Sequence, residues 1–411
     1  MDTPYCTHYQ TTDLGFGREH LEAYLARCGY WGNWELRRRN AYVLSPCAYV
    51  LSRAQEADIR RLGCATYAAV RTLSHHLCEL ARKRHPTHEE AALLLFANRA
   101  SRDLLSPCDG LTHIPPLFKV DLVANPEGRF HIVEADVYNP RGFGYATLLE
   151  ESLFDVADVR RFSGIAGLFD ILRARNVQGA PLYVLVSEFE RYYEPGFRIL
   201  CDALVRRGID ARLVREKDLA DGSSISDGVS LCIPDSLDRT IRDTLIAQYR
   251  QGTLRTIYPP CAYLGSKAFL PFLREQDGMG EFIPPTALVS KKCEGWQSLR
   301  DSGLPLVLKA HVSSGMKGVY FSDLDESAFG WQLAQAQEIK RAAWILQQQV
   351  PQVPTPIVVF DVQGVRRVEN YYLRVVAYVT ADGVLDVEVT GRPDRKVHGA
   401  PDCIQLPVIL S

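Results

Sequence analysis

The stretch FKVDLVANPEGRFHIVEAD, residues 118–136, constrains the fold more than any other segment. Two runs that alternate apolar and polar residues flank NPEG, whose Asn, Pro and Gly are turn formers, so the segment reads as a β-hairpin. With Asn125–Gly128 as a four-residue loop, Ala124 faces Arg129, Lys119 faces Glu134 and Asp121 faces Ile132. Strand side chains alternate, which puts Lys119, Asp121, Glu134 and Asp136 on one face. The other face carries Val120, Leu122, Val133 and Ala135, with His131 and Arg129 as its polar members. Three carboxylates on one face repel unless a cation neutralises them, and such oxygen ligands suit Mg²⁺. The same pattern also suits a solvated outer face paired through Lys119.

The remainder is an α/β pattern. From Arg53 to Arg84, Ile59, Leu62, Ala65, Ala69, Leu73, Leu77 and Leu80 recur at helical steps. His75 and His76 lie in that helix, but adjacent residues diverge by about a hundred degrees, which disfavours a shared metal. A second helix is expected over Glu89–Leu105. PLYVLVSEF is nearly continuous in apolar residues, as in a strand buried on both faces. A helix over Pro195–Arg207 stops at Gly208, and IDARLV and VSLCIPD supply further strands, which gives a βαβ unit in a small parallel sheet. LGSKAFLPFLRE reads as a helix. LPLVLKA, GVYFS and AWILQQQV read as strands, and NYYLRVVAYVTADGVLDVEVTGR as a strand pair across TADG. The segments expected from this pattern are 1–114 (mainly helical), 115–178 (acidic hairpin), 179–262 (βαβ) and 263–411 (lysine- and glycine-bearing strands).

Composition narrows the class. The formal net charge of −2 over 411 residues argues against a general nucleic-acid binder or a membrane-surface clamp. No apolar run approaches the ~20 residues that span a bilayer. MDTPYCTHYQTTD lacks the basic and apolar regions of a secretory signal. Eleven cysteines without CxxC pairs indicate neither a disulfide framework nor a structural zinc site, so a reducing, cytoplasmic setting is expected.

Three further motifs carry chemistry. In VLKAHVSSGMKGVYF a strand delivers Lys309, and the loop Ser313, Ser314, Gly315, Met316, Lys317, Gly318 follows. Free N–H groups in such a loop can surround phosphate oxygens, although the spacing is not that of a Walker P-loop and an ordinary glycine hairpin reads the same way. AWILQQQV ends a strand in amides that can meet an adenine edge, as polar strand ends of any kind can. Arg374 interrupts the apolar strand NYYLRVVAYV and calls for an anionic partner, either a ligand phosphate or an internal carboxylate.

Together these features resemble the ATP-grasp ligases, whose signature combines a strand-borne lysine, a glycine-rich hairpin, an adenine-contacting hinge and a hairpin reading RxD…ExN. The corresponding residues are Lys309, the Ser313–Gly318 loop, the hinge Gln347, Gln348, Gln349, Val350, and Lys119-Val120-Asp121 with Glu134-Ala135-Asp136. Lys267, in GSKAFLPFL, is similar to the family's other nucleotide-contacting lysine. The acidic hairpin precedes the βαβ piece, and the lysine and loop come last. That order is similar to the circularly permuted group that includes glutathionylspermidine synthetases.

The resemblance implies a permuted ATP-grasp fold with a Rossmann-like pre-ATP-grasp domain and a helical N-terminal region. It also implies an ATP-dependent ligase that joins a carboxylate to an amine, on small metabolites or peptides, through an acyl phosphate. ATP and one or two Mg²⁺ (Mn²⁺ being able to substitute) are the implied cofactors. Asp121, Glu134 and Asp136 would hold metal. Lys267, Lys309, Ser313, Ser314, Gly315, Lys317 and Gly318 would bind phosphates, and Gln347, Gln348 and Val350 adenine. Arg374, Lys119 and Arg392 would stabilise the transferring groups. Arg141 and Tyr145, just after the acidic strand, read either as substrate-pocket residues or as ordinary loop residues. The permutation would bring His398 to the border of the site, and the N-terminal region is expected to pack on the grasp lobes or make a homodimer contact.

Two positions depart from the family pattern: Lys119 stands for its arginine and Asp136 for its asparagine. A non-catalytic nucleotide-binding protein of the same fold is the alternative. A dinucleotide oxidoreductase is disfavoured because no GxGxxG follows PLYVLVSEF.

Overall fold

The computed structural model describes residues 10–19, 21–22, 43–82, 85–93, 114–137, 142, 159–162, 164–175, 180–219, 225, 229–231, 237–258, 265–311, 313, 315–340, 343–361, 363–398 and 402–411. Strands β1 (Gln10–Asp13) and β2 (Cys47–Leu51) pair antiparallel. Helix α1 (Arg53–Arg82) follows, with Ile59, Leu62, Ala69, Leu73, Leu77 and Leu80 buried as the spacing predicts. Of the expected second helix only residues 89–93 are described, and they lie in a helix over His88–Leu93.

The hairpin strands are β3 (Leu117–Ala124) and β4 (Phe130–Asp136). Their register differs from the one expected. Ala124 faces Phe130, Leu122 faces Ile132, and after a bulge Asp121 faces Glu134 and Lys119 faces Asp136. Val133 is the extra residue. It breaks the alternation, so that Phe130, Ile132 and Ala135 are all buried while Val133 and Glu134 both lie half-buried on the acidic side. A regular ladder would have left Phe130 and Ile132 on the charged face, and each such side chain gains about 1.5–3 kcal/mol by burial.

Strands β5 (Leu182–Val186), β6 (Ala211–Arg215), β7 (Val229–Leu231) and β8 (Arg255–Thr256) form a parallel sheet in the order β6-β5-β7-β8. Helix α2 (Glu194–Arg206) links the first two, and Gly208 just beyond it takes a φ of 80°. Helix α3 (Arg239–Gln251) leads into β8.

Helix α4 (Phe269–Arg274) starts later than the sequence suggests, so Lys267 sits in the turn before it. Strands β9 (Thr286–Val289), β10 (Leu306–Ala310), β11 (Val319–Phe321) and β12 (Trp344–Gln348) form an antiparallel sheet in the order β11-β10-β12-β9.

Strand β13 (Thr355–Phe360) pairs with the first part of the long β14 (Arg366–Thr380), which turns through residues 381–382 into β15 (Gly383–Arg392). With β16 (Ile404–Leu406) these strands extend the hairpin into one antiparallel sheet, β16-β15-β14-β3-β4. The hairpin, early in sequence, is thus the far end of a sheet built from the C-terminal strands. Strand β17 (Val408–Leu410) pairs parallel with β2, which places β2 between β1 and β17 in a three-stranded sheet.

Helix α1 packs on β14 and β15. Gly63 permits the approach, since a Cβ there would lie 2.5 Å from Val384 Cγ2. Val120, Leu122, Val375, Ala377 and Val389 are buried in the same core as the α1 stripe. The opposite face of the sheet is left for polar chemistry. Among the described residues no helix is long and apolar enough to cross a membrane.

Candidate active site

Ladder partners place the polar side chains of the large sheet in cross-strand rows. One row runs Glu134, Asp121, Val376, Glu388; the next toward the turn contains Arg374, Thr390 and Gln405; the one on the other side runs Asp136, Lys119, Tyr378, Asp386. Arg374 therefore stands diagonally beside Asp121, and its Nη1 donates to Asp121 Oδ2 at 2.9 Å. Of the two partners open to Arg374 in the sequence, the structure shows the internal carboxylate. Lys119 Nζ lies 3.7 Å from Asp136 Oδ2. The two departures from the family pattern are thus each other's ladder partners.

Two lysines reach this face from the second sheet and its approach. Lys309, on β10, donates from Nζ to Val133 O at 2.8 Å and to Gln347 Oε1 at 2.7 Å. The bulge presents that carbonyl, because a bulged residue is displaced from the regular ladder. Gln347 Nε2 in turn donates to Thr286 Oγ1 at 3.0 Å, tying β9, β12 and β10 together. Lys267 donates from Nζ to Ser313 O at 2.8 Å and pairs with Glu134 Oε1 at 2.9 Å. Its backbone N–H donates to His311 O, which fixes the turn against β10.

Burial drives the Lys309 ammonium down to about 8, with Glu134 opposing the shift and Lys267 adding to it. For Glu134, burial works to raise the carboxyl, but Lys267, Lys309 and Arg374 outweigh it and hold the group below its usual range. Glu134 is therefore a committed anion.

The glycine loop leaves β10 beside these lysines. Gly315, Met316 and Gly318 all take left-handed backbone, with φ of 60°, 60° and 69°. Met316 is the one non-glycine residue with positive φ among the described residues, and it packs against Val307, Val319 and Phe321. A Cβ at Gly318 would lie 2.9 Å from Ala310 Cβ. Lys317 is exposed. Ser314, Arg141 and Tyr145 lie outside the described residues.

The hinge residues are held inside the sheet. The Gln347 amide accepts from Lys309 and donates to Thr286, so its side chain positions the lysine. Gln348 N–H donates to Pro285 O and Gln349 N–H to Pro305 O, while Val350 is buried. Arg392 is a fastener of the tail: Nε and Nη2 grip both oxygens of Asp402 at 2.8 and 2.7 Å, and Nη1 donates to Lys396 O at 2.7 Å. Arg395 and Lys396 bind Asp323 and Asp325, each at 2.8 Å, which draws the tail over the β11 end. A Cβ on Gly315 would lie 3.9 Å from the His398 ring, so the tail borders the glycine loop.

The donor set suits a hard divalent cation in part. Asp121 and Glu134 are directly opposed carboxylates on one face. Asp136 is turned to Lys119, and among the described residues no three His, Cys, Asp or Glu side chains converge closely enough to hold a metal ion. Two of the three expected ligands therefore form the pair that fits.

Glu388 was not singled out in the sequence. VLDVEVTG alternates as any half-exposed strand does, and only the ladder shows that Glu388 shares a row with Asp121 and Glu134.

Among the described residues, a carboxylate of the protein itself occupies the ends of β5 and β6 in the parallel sheet. Glu216 follows β6, accepting from Glu188 N–H at 2.7 Å and also from Asp238 N–H, just ahead of α3. That carboxylate holds two N–H groups of the kind a phosphate accepts from.

No family model matches the sequence, and no curated protein matches it. Among solved structures, a glutathione synthetase-like effector from Globodera pallida in its apo form aligns over 96% of this chain and 98% of its own, with a TM-score of 0.53 at 11% identity. A γ-glutamylcysteine synthetase-like protein from Methylobacillus flagellatus aligns over 82% of this chain and 87% of its own, with a TM-score of 0.41 at 12% identity. D-Cycloserine synthetase aligns over 51% of this chain and 72% of its own, with a TM-score of 0.31 at 20% identity. The fold of this chain is an ATP-grasp ligase-like fold.

Proposed function

We propose that the protein is an ATP-dependent ligase that activates a carboxylate as an acyl phosphate and passes it to an amine. The observation that carries this reading is the meeting of Lys267 and Lys309 with the acidic hairpin, through Glu134 and the Val133 carbonyl. Residues far apart in sequence bring phosphate-binding cations and a carboxylate pair onto one face. Four cations, Lys119, Lys267, Lys309 and Arg374, balance the carboxylates there, which suits a triphosphate that arrives with its own counter-ion.

Phosphoryl transfer asks the protein mainly for position and charge. Lys309, fixed by Gln347, and Lys267, fixed by Ser313 O, hold the phosphates along the β10 end. The Gly315–Gly318 hairpin lies over them and excludes water from the acyl phosphate. Arg374 neutralises charge on the transferring group, with Lys119 beside it. Divalent metal held by Asp121 and Glu134 would draw charge from the phosphate oxygens. The hairpin's place ahead of the lysines in sequence, yet beside β14 in space, supports a permuted arrangement. The parallel order β6-β5-β7-β8 supports a pre-ATP-grasp domain.

One observation favours a second reading, a nucleotide-binding protein without catalysis: Asp121, Glu134 and Asp136 each already have a cationic partner. An ADP-release screen of carboxylates against amines, with product masses, separates the two. Stoichiometric ADP and amide, lost in Glu134→Gln, support the ligase. Nucleotide binding without ADP across the screen supports the alternative.

A further inference from the structure

Two buried polar atoms on the sheet face have no hydrogen-bond partner among the described residues: Glu388 Oε2 and Arg374 Nε. They belong to adjacent strands and neighbouring rows of one face, and their charges act on each other. One is an acceptor and the other a donor, so a single ligand with both complements could satisfy them. An unsatisfied buried polar group costs ~1–3 kcal/mol, and a pair of them beside a reactive centre asks for an occupant.

Resting on the ligase reading, we propose that Arg374 and Glu388 form the subsite where the amine meets the acyl group, and that the acceptor binds there as an ammonium ion. Arg374 Nε donates to the acyl oxygen, and Glu388 takes the ammonium proton. The freed amine attacks the acyl carbon. The C–N bond forms, the C–O bond to phosphate breaks, and its electron pair leaves on phosphate, which picks up the amine's second proton.

The surroundings of Glu388 suit this task. Gly142, with φ of 103°, closes over it: a Cβ there would lie 2.8 Å from the Tyr378 hydroxyl and 3.6 Å from Glu388 Oε1. Burial lifts the Glu388 carboxyl to about 7, against the pull of Lys119, Arg374 and the Tyr378 hydrogen bond, with Asp121 adding to the rise. A base in that range can hold a proton at neutral pH and release it again. Tyr258, whose buried hydroxyl has no partner among the described residues, feels the charge of Asp136 and adds a polar wall.

The test compares two small acceptors, methylamine (an ammonium at neutral pH) and hydroxylamine (a free amine). Wild type, Glu388→Gln and Glu388→Asp are assayed with MgATP and the twenty amino acids as carboxylate donors. Glu388→Gln should lower the ratio of methylamide to hydroxamate at least ~10-fold at pH 7, with the gap closing as pH rises. Glu388→Asp should restore part of the ratio. An unchanged ratio in Glu388→Gln, whatever the total rate, overturns the assignment, as does a wild type that makes hydroxamate but never methylamide. A wild type that makes neither product nor ADP overturns the ligase reading itself, and this inference with it.

Discussion

Lys309 Nζ donates to the carbonyl oxygen of Val133 at 2.8 Å, joining two sheets that share no strand. The contact depends on one extra residue in β4. Burial outweighs the pull of Glu134 and Asp121, so Lys309 loses its proton near pH 8. A triphosphate would restore the protonated form. ATP binding at pH 8–9 should therefore take up protons, which calorimetry in buffers of different ionisation enthalpy will show. The stability sign runs the other way. Between about 8 and the ordinary lysine value the unfolded chain holds the proton that the fold has lost, so Lys309's contribution to stability rises with pH across that window.

Gln347 holds Lys309 in place, and its removal should be felt by the fold and by the lysine. Gln347→Leu leaves Thr286 Oγ1 without its donor and Lys309 with one acceptor fewer, at a cost of ~1–3 kcal/mol in chemical denaturation. Gln347→Glu sets a carboxylate against the ammonium and should move the alkaline limb of ATP binding to higher pH.

Arg374 and Asp121 are both largely buried, with side chains 25% and 14% exposed. Arg374→Met strands the Asp121 charge and should destabilise the protein by ~3 kcal/mol. The double variant Arg374→Met with Asp121→Asn should be more stable than Arg374→Met alone. Equal stability of the two by denaturant midpoint would show that the pair carries no such coupling.

The glycine loop gives a ranking. At Gly318 both the left-handed backbone and the 2.9 Å approach to Ala310 Cβ oppose a side chain, whereas at Gly315 the nearest atom is 3.9 Å away. Gly318→Ala should therefore lower the melting temperature more than Gly315→Ala, by ~1–3 kcal/mol in stability for the former. The reverse order in thermal melts would contradict the loop geometry.

Much of the site could be read in the chain, and its limits are physical. Alternation placed Lys119, Asp121, Glu134 and Asp136 on one face, and they share it. Alternation could not show the bulge, because Phe130, Ile132, Val133 and Ala135 are all apolar and either parity buries some of them. Lys309 announced itself as a cation ending an apolar strand. The bonds of Gln347 to Lys309 and Thr286 are not legible in the sequence, because a polar strand end does not reveal its neighbours, which here are β9 and β10. Glu388 became visible only when β15 was laid beside β14 and Gly142 closed over it.

The central proposal is that the two lysines and the acidic hairpin hold the triphosphate. Calorimetric titration of ATP with Mg²⁺ into wild type and Lys309→Met, at pH 7 and pH 9, tests it directly. Binding to wild type should weaken by up to ~10-fold at pH 9. Binding to Lys309→Met should be weaker at pH 7 and nearly independent of pH. No binding to wild type, or equal affinity and the same pH dependence in both proteins, would contradict it.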